Sequence, residues 1–248
     1  MRRILVATTI FNRQFCDIPL LVEFETLRLN LSCSGCVDLL VVDNSTITSK
    51  QDLSSYSIKF YYKSKSNLGS RELVFKCRDI SFLYDGVLFL DQDSDVNGIT
   101  NYIKHLFSLQ FTAIYVPIVY SAHNFQLISP CRPNFMGTVT PNKSSPTSAI
   151  LSGSFVPSIL LIKLKYIPSV FWLDYLDHYL FITFFGNPVV LDHVFYHALS
   201  VSDIHKLPIN RFLNIQIAEL SFRVFSNIFS LPLGLLIFFF RLLRYTTK

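Results

Sequence analysis

Asp91 and Asp93 bracket a single glutamine directly after the apolar run Val87–Leu90. In an extended segment, residues two apart point to the same side. The two carboxylates therefore face one point just past a strand end. Like charges that close repel, and a cation relieves the repulsion. Hard divalent ions such as Mg2+ or Mn2+ take oxygen ligands and are commonly shared with phosphates. A solvated turn, with Asp95 as further polar filler, would carry the same residues. A position at the end of a buried strand, beside other polar strand ends, favours the metal.

Asp174 and Asp177 stand three apart within Phe171-Trp172-Leu173-Asp174-Tyr175-Leu176-Asp177-His178. On a helix they share a face. A carboxylate walled by aromatic rings has a raised pKa and serves as a general base. The polar stripe of an amphipathic helix has the same pattern. Asp43 closes the run Leu39–Val42. There it either accepts from a nucleobase or ribose, or makes an Asx-turn out of the strand. Asn67-Leu68-Gly69-Ser70 precedes a helical pattern. The glycine permits close backbone approach, and Ser70 can cap the helix. His193 and His197 are four apart, which suits metal binding on a helix; a hydrogen-bonded histidine would look the same. The Asn67–Ser70 run is no G-x-G-x-x-G or P-loop, and with no G-x-S-x-G and no Ser/His/Asp order a hydrolase gains little support.

These residues need elements to position them. Ile4–Thr9, Val37–Val42, Ile58–Tyr62, Val87–Leu90 and Thr112–Val116 are short apolar, β-prone runs. Between them, Asp17–Asn30, Gly69–Ile80 and Ile99–Leu109 repeat apolar residues at helical spacing. Continuous apolar strands alternating with helices predict a parallel sheet covered on both faces. Such sheets bind ligands beyond the carboxyl ends of their strands. Thr8-Thr9, Asp43-Asn44 and Asp91-Gln92-Asp93 all fall at those ends. Ser129–Ser148 is rich in Pro, Ser, Asn and Thr and reads as a long loop of the kind that closes over substrates.

Composition narrows the class. Half of the 248 residues are hydrophobic, which excludes a disordered chain. The excess of Lys and Arg over Asp and Glu is 5, with no basic run resembling a nucleic-acid arm. The five cysteines are odd in number and follow no secretory signal, so they read as reduced cytoplasmic thiols. Cys33-Ser34-Gly35-Cys36 lacks the second ligand pair of a zinc site and reads as a polar link. From Leu213 onward the chain changes character. Leu231–Phe240 is apolar and is followed by Arg241, Arg244 and Lys248. Ten apolar residues are too few to cross a bilayer of about 30 Å. The tail reads as an interfacial anchor, or as a helix docked on the chain's own core or on a second subunit.

Together these residues resemble the family 2 glycosyltransferases of GT-A fold, especially the rhamnosyltransferase-like branch, across roughly residues 4–200. Thr9-Ile10-Phe11-Asn12-Arg13 looks like the family's "T-x-x-N-R" turn, Val41-Val42-Asp43-Asn44-Ser45 like its "V-V-D-N-S" strand end, and Asn67-Leu68-Gly69 like its "N-x-G" loop. Leu90-Asp91-Gln92-Asp93-Ser94 matches the branch's "L-D-Q-D-S", and Ser152-Gly153-Ser154 its "S-G-S" segment. Phe171–Asp177 is similar to "F-I-D-x-x-D", and His197 stands where a late "H-x-x-G" histidine is expected. The resemblance implies an α/β fold. A GT-A type nucleotide-binding domain with a mostly parallel central sheet flanked by helices spans 1–212, and a hydrophobic helical C-terminal tail spans 213–248. It implies donor contacts at Thr9, Asn12, Asp43, Asn67, Gly69 and Asp91, and acceptor contacts at Gly153, Ser154 and Asp174. Asp177 becomes the catalytic base, and Asp91, Asp93 and His197 hold Mg2+ or Mn2+. The partners implied are a dTDP- or UDP-sugar, a glycan or lipid-linked glycan acceptor and, through the tail, the cytoplasmic face of a membrane; no nucleic acid is implied. Two positions depart from the pattern: Thr183 replaces an arginine and Ser200 a glycine.

Two other classes remain open on sequence. A nucleotidyltransferase would want a Gly-rich, basic loop after the first strand, where Thr8–Gln14 offers only Arg13. A non-catalytic nucleotide-sugar-binding or membrane scaffold protein is favoured by Thr183.

Overall fold

The computed structural model describes residues 1–46, 53–64, 67, 69–94, 98–134, 138–197, 207–227 and 230–246. Leu68, Asp95, Ser200 and Lys248 of the sequence reading lie outside the described residues.

The sheet is mostly parallel, as the apolar runs predict. Strands β1 (Arg3–Ile10), β2 (Cys36–Asp43), β3 (Phe60–Lys63) and β4 (Gly86–Asp91) alternate with helices α1 (Pro19–Leu31) and α2 (Gly69–Ile80). Helix α3 (Ile99–Ser108) follows, then β5 (Tyr115–Ser121). The chain continues through β6 (Leu127–Ser129), β7 (Cys131–Pro133), β8 (Val139–Pro141), β9 (Phe155–Pro157), α4 (Ser158–Leu161), α5 (Leu176–Leu180) and β10 (Val189–His197). Helices α6 (Ile209–Ser226) and α7 (Leu231–Thr246) complete it. The strand order is β10-β5-β9-β4-β1-β2-β3, with β6 on β5. β9 runs antiparallel between β4 and β5.

Strand periodicity sorts the core into two layers. Ile4, Val6, Leu39, Val41, Leu88 and Leu90 pack under α1 and α3. The alternate residues Leu5, Ala7, Leu40, Val42, Val87 and Phe89 pack against α2 on the opposite face. Each such Leu, Val or Phe contributes about 1.5–3 kcal/mol on burial. The two-sided demand explains why these strands read as unbroken apolar runs. It also gathers polar residues at the strand ends; Asp38, inside β2, is an exception held by Lys59, Tyr84 and Arg3.

Two elements differ from expectation. β5 begins later than Thr112 and runs on through Pro117 to Ser121. Proline lacks the N–H for a ladder bond. Here the β10 partner bulges at that point, pairing Val116 with Val190 and Ile118 with Val194, so Pro117 leaves no bond unmade. Ser129–Ser148 is not a plain loop. β7 and β8 form a hairpin, and Cys131 bridges to Ser148.

The tail is helical. α6 runs through position 213 and places Phe212, Ala218 and Phe222 in the core. Among the described residues, no helix is long and apolar enough to cross a membrane.

Candidate active site

Parallel strands β1, β2 and β4 end side by side, with Thr9 in register with both Val42 and Asp91. The strand ends thus meet as the sequence predicts. Gln92 accepts the Phe11 N–H at 2.8 Å, which ties the segment between the two aspartates to the β1 loop. The Ser94 N–H donates to the Asp91 carbonyl at 3.1 Å, and Ser94 bridges to His197 at the end of β10. This bridge brings the histidine onto the aspartates.

Oxygens of Asp91 and Asp93 and a nitrogen of His197 lie within 4.8 Å of one another. His197 Nε2 is 3.6 Å from Asp91 Oδ2, and His197 Nδ1 is 3.7 Å from Asp93 Oδ1. Both distances exceed a hydrogen bond. His197 Nδ1 is buried and has no hydrogen-bond partner. A buried ring nitrogen left unbonded between two carboxylates is costly unless something else satisfies it. A divalent cation with mixed oxygen and nitrogen ligands fits this donor set. Burial pushes the Asp91 carboxyl up to about 6, against the pull of His197 and with the push of Asp93 and Asp177. Nearly half of that side chain opens to the cleft while protein crowds its other sides. The helical spacing read for His193 and His197 is corrected: both lie on strand β10, and His193 pairs with His105 at 3.0 Å.

A cleft of about 440 Å3 opens beside this cluster and is lined by Asp91, Ser152, Asp174, Asp177, His197 and Arg211 among others. Asp177 lies in the first turn of α5, and its Oδ1 accepts the His178 N–H at 2.8 Å. His178 Nδ1 meets Ser148 Oγ at 2.7 Å, which ties this wall to the segment after the β7–β8 hairpin. Asp174 and Asp177 do not share a helix face, because Asp174 precedes the helix and Tyr175 turns the chain with φ +58. They share the cleft instead. Asp174 is gripped by both guanidinium nitrogens of Arg211, which lies over the Trp172 ring. Burial outweighs that pairing and raises the Asp174 carboxyl.

At the end of β2, Asp43 makes the Asx-turn: its Oδ1 accepts the Ser45 N–H at 2.8 Å. Its Oδ2 accepts from Tyr61 and Lys63, each at 2.9 Å. Burial alone would raise this carboxyl, but the bonds from Ser45, Lys63 and Tyr61 hold it below the usual range. Asn12, at φ +52, accepts the Thr46 N–H at 3.0 Å and so joins the loops after β1 and β2. Thr9 Oγ1 and Asn44 Oδ1 are buried there without a hydrogen-bond partner. Asn67 Oδ1 accepts the Gly69 N–H at 3.1 Å. Gly69 sits at φ +61, and a Cβ there would lie 2.3 Å from the Trp172 carbonyl oxygen. Only glycine lets this loop touch the segment that carries Asp174.

Gly153 and Ser154 are woven into the sheet. The Gly153 N–H donates to Phe89 at 2.7 Å, its carbonyl accepts from Tyr102, and fully buried Ser154 gives its hydroxyl to Ile150. The hydroxyl of this segment that faces the cleft is Ser152, 2.8 Å from Ser94 Oγ and accepting the Asp91 N–H at 3.3 Å. Ser152 and Arg211 are the cleft residues that sequence reasoning passed over. The run Ser152-Gly153-Ser154 held the first in view, whereas nothing local marks Arg211.

No protein-family model matches the chain, and no curated protein matches it. Solved structures do. The chain superposes on GalNAc-T7, crystallised with UDP, GalNAc and Mn2+, at a TM-score of 0.55 and 9% identity, covering 89% of this chain and 48% of that one. S. aureus TarS 1-349 in complex with UDP matches at 13% identity and a TM-score of 0.49, with 89% and 65% covered. HddC from Yersinia pseudotuberculosis matches at 13% and 0.44, with 78% and 91% covered. The fold is therefore GT-A. The chain spans about half the length of GalNAc-T7.

Proposed function

We propose that the chain is an inverting, metal-dependent glycosyltransferase. It would move rhamnose or another hexose from a dTDP- or UDP-linked donor to a glycan or lipid-linked glycan in surface polysaccharide synthesis. The observation that carries this reading is the convergence of Asp91, Asp93 and His197 at the strand ends, with Asp177 in the same cleft. The GT-A neighbour that holds UDP, GalNAc and Mn2+ supports it. The reading carries with it a cytoplasmic location, where nucleotide sugars are made, at the membrane face that presents lipid-linked acceptors.

Asp91, Asp93 and His197 would hold Mn2+ or Mg2+, which supplies positive charge to the donor diphosphate as it leaves. Thr9 and Asn44 offer unbonded oxygens to the nucleoside end. Asp177 accepts the proton of the acceptor hydroxyl. The acceptor oxygen bonds to the anomeric carbon while the bond to the diphosphate breaks and its electron pair leaves with the diphosphate. A single displacement inverts that carbon. Arg211 holds Asp174 in the wall where the acceptor enters. Cys131, Val139 and Pro141 of the hairpin line the cleft and would help to exclude water, which otherwise competes as acceptor.

The test is turnover of UDP-hexoses and dTDP-rhamnose with Asp177→Asn as the variant. An enzyme of this mechanism loses about 100-fold or more in turnover and keeps donor binding. Unchanged turnover would remove Asp177 from the chemistry.

A further inference from the structure

Helix α7 packs on α6. Its polar grip points inward, where Arg241 donates to Glu219 Oε2 at 2.6 Å and to Gln216 Oε1 at 3.1 Å on α6. Tyr245 stacks on Phe212 and donates to the Leu207 carbonyl at 2.7 Å. These contacts fix the rotation of α7 about its own axis. The opposite face is exposed and apolar, with Arg244 at its edge: Pro232, Leu235, Leu236, Phe239, Phe240 and Leu243 recur at three- and four-residue spacing. Leu236 is 67% exposed and Phe239 57%. A surface helix of a globular domain turns such a stripe toward the core. These side chains present on the order of 500 Å2 of apolar surface, at the upper end of what a monomer leaves open without a function.

The occupant follows from charge, length and area. α7 carries no acidic residue, and with Arg241 turned inward onto Glu219 the exposed cation on this helix is Arg244. The Arg244 guanidinium lies 4.9 Å over the exposed Phe240 ring, an apolar body with a cationic rim. The chain as a whole is at +5. Sixteen helical residues reach only about 24 Å, short of a hydrocarbon core of about 30 Å. A second copy needs about 800 Å2 from each partner for a stable interface, more than the stripe offers. A basic-rimmed apolar stripe fits the boundary between headgroups and acyl chains of an anionic bilayer. We propose that α7 is an in-plane membrane anchor, with Leu236, Phe239, Phe240 and Leu243 inserted and the Arg241–Glu219 pair holding that face outward. The proposal stands on the helix alone and is independent of the transferase reading.

The experiment is flotation of the full chain with vesicles of phosphatidylcholine, with and without phosphatidylglycerol. The chain should float with the anionic vesicles. Phe239→Asp and Leu236→Ser, both on the solvent face, should each weaken partitioning roughly tenfold with unchanged circular dichroism. A Leu236→Trp reporter should shift its emission to the blue on vesicle addition. A chain that stays in the aqueous fraction, or floats equally well with Phe239→Asp, overturns the proposal. So does a dimer that Phe239→Asp disperses while no lipid is taken up, which would give the stripe to a second copy.

Discussion

His197 Nδ1 faces Asp93 Oδ1 across 3.7 Å, buried and without a hydrogen-bond partner. Asp93 lies in the turn just past β4 and His197 ends β10, far apart in the chain and joined through the Ser94–His197 bridge. The ring sets one nitrogen beside a pair of carboxylates, and the three groups lie within 4.8 Å of one another. His197→Ala should therefore weaken Mn2+ binding about 10- to 100-fold in a folded protein, as calorimetric titration of the metal would record. Equal affinity in the variant would mean that the aspartates act without it.

Arg211 and Asp174 form a partly buried ion pair in the cleft wall, each about a fifth exposed. Arg211→Ala leaves the carboxylate unpaired and should cost about 2 kcal/mol after allowance for that exposure. For a chain of this length the cost lowers the melting temperature by roughly 4–8 °C in a thermal scan. Asp174→Asn in the same background should recover part of the loss, because the stranded charge is gone. A melting temperature matching the parent would show the pair to be incidental.

Gly69 has no room for a side chain. A Cβ meets the Trp172 carbonyl oxygen at 2.3 Å and the backbone is left-handed. Gly69→Ala should destabilise by more than about 1 kcal/mol in urea titration and weaken donor binding alongside, because the loop must retreat from Trp172. A variant as stable as the parent would contradict the close approach.

Glu219 sets a pH dependence for the α6–α7 pair. Burial by itself would raise its carboxyl, yet Arg223 and Arg241 outweigh burial and hold it below the ordinary value. A depressed folded pKa gives stability that is complete above the unfolded pKa, about 4.3. That stability is lost as pH falls through the folded value. Amide exchange in α6 and α7 should therefore accelerate on acidification below about pH 4 relative to the sheet strands, and Glu219→Gln should flatten the dependence. A parallel response in helices and strands would assign the acid sensitivity elsewhere.

The strand ends were legible because burial on both faces forces apolar runs, and the polar residues that end them stand out: Thr9, Asp43 and Asp91. Helix α2 was legible at both ends, since Gly69 and Ile80 bound a clean periodic pattern. Partnerships across the fold were not. Arg211 reaches Asp174 from α6, and no local pattern marks a guanidinium that crosses to another element. β9 lies antiparallel between two parallel strands on the strength of three residues, too few to carry a period. Ser154 looked like a cleft residue, but the turn at Gly153, φ +83, sends its side chain into the sheet and presents Ser152. The stripe on α7 has helical periodicity, but periodicity does not say which side faces the core. The inward Arg241 decides that.

The most direct test of the central claim is calorimetric titration of the purified chain with UDP-hexoses and dTDP-rhamnose, with and without Mn2+, repeated with Asp93→Ala. The account predicts that one donor class binds only with the metal and that Asp93→Ala abolishes the binding while the fold is retained. Binding that ignores Mn2+ and Asp93, or no binding by folded protein to any of these donors, would contradict it.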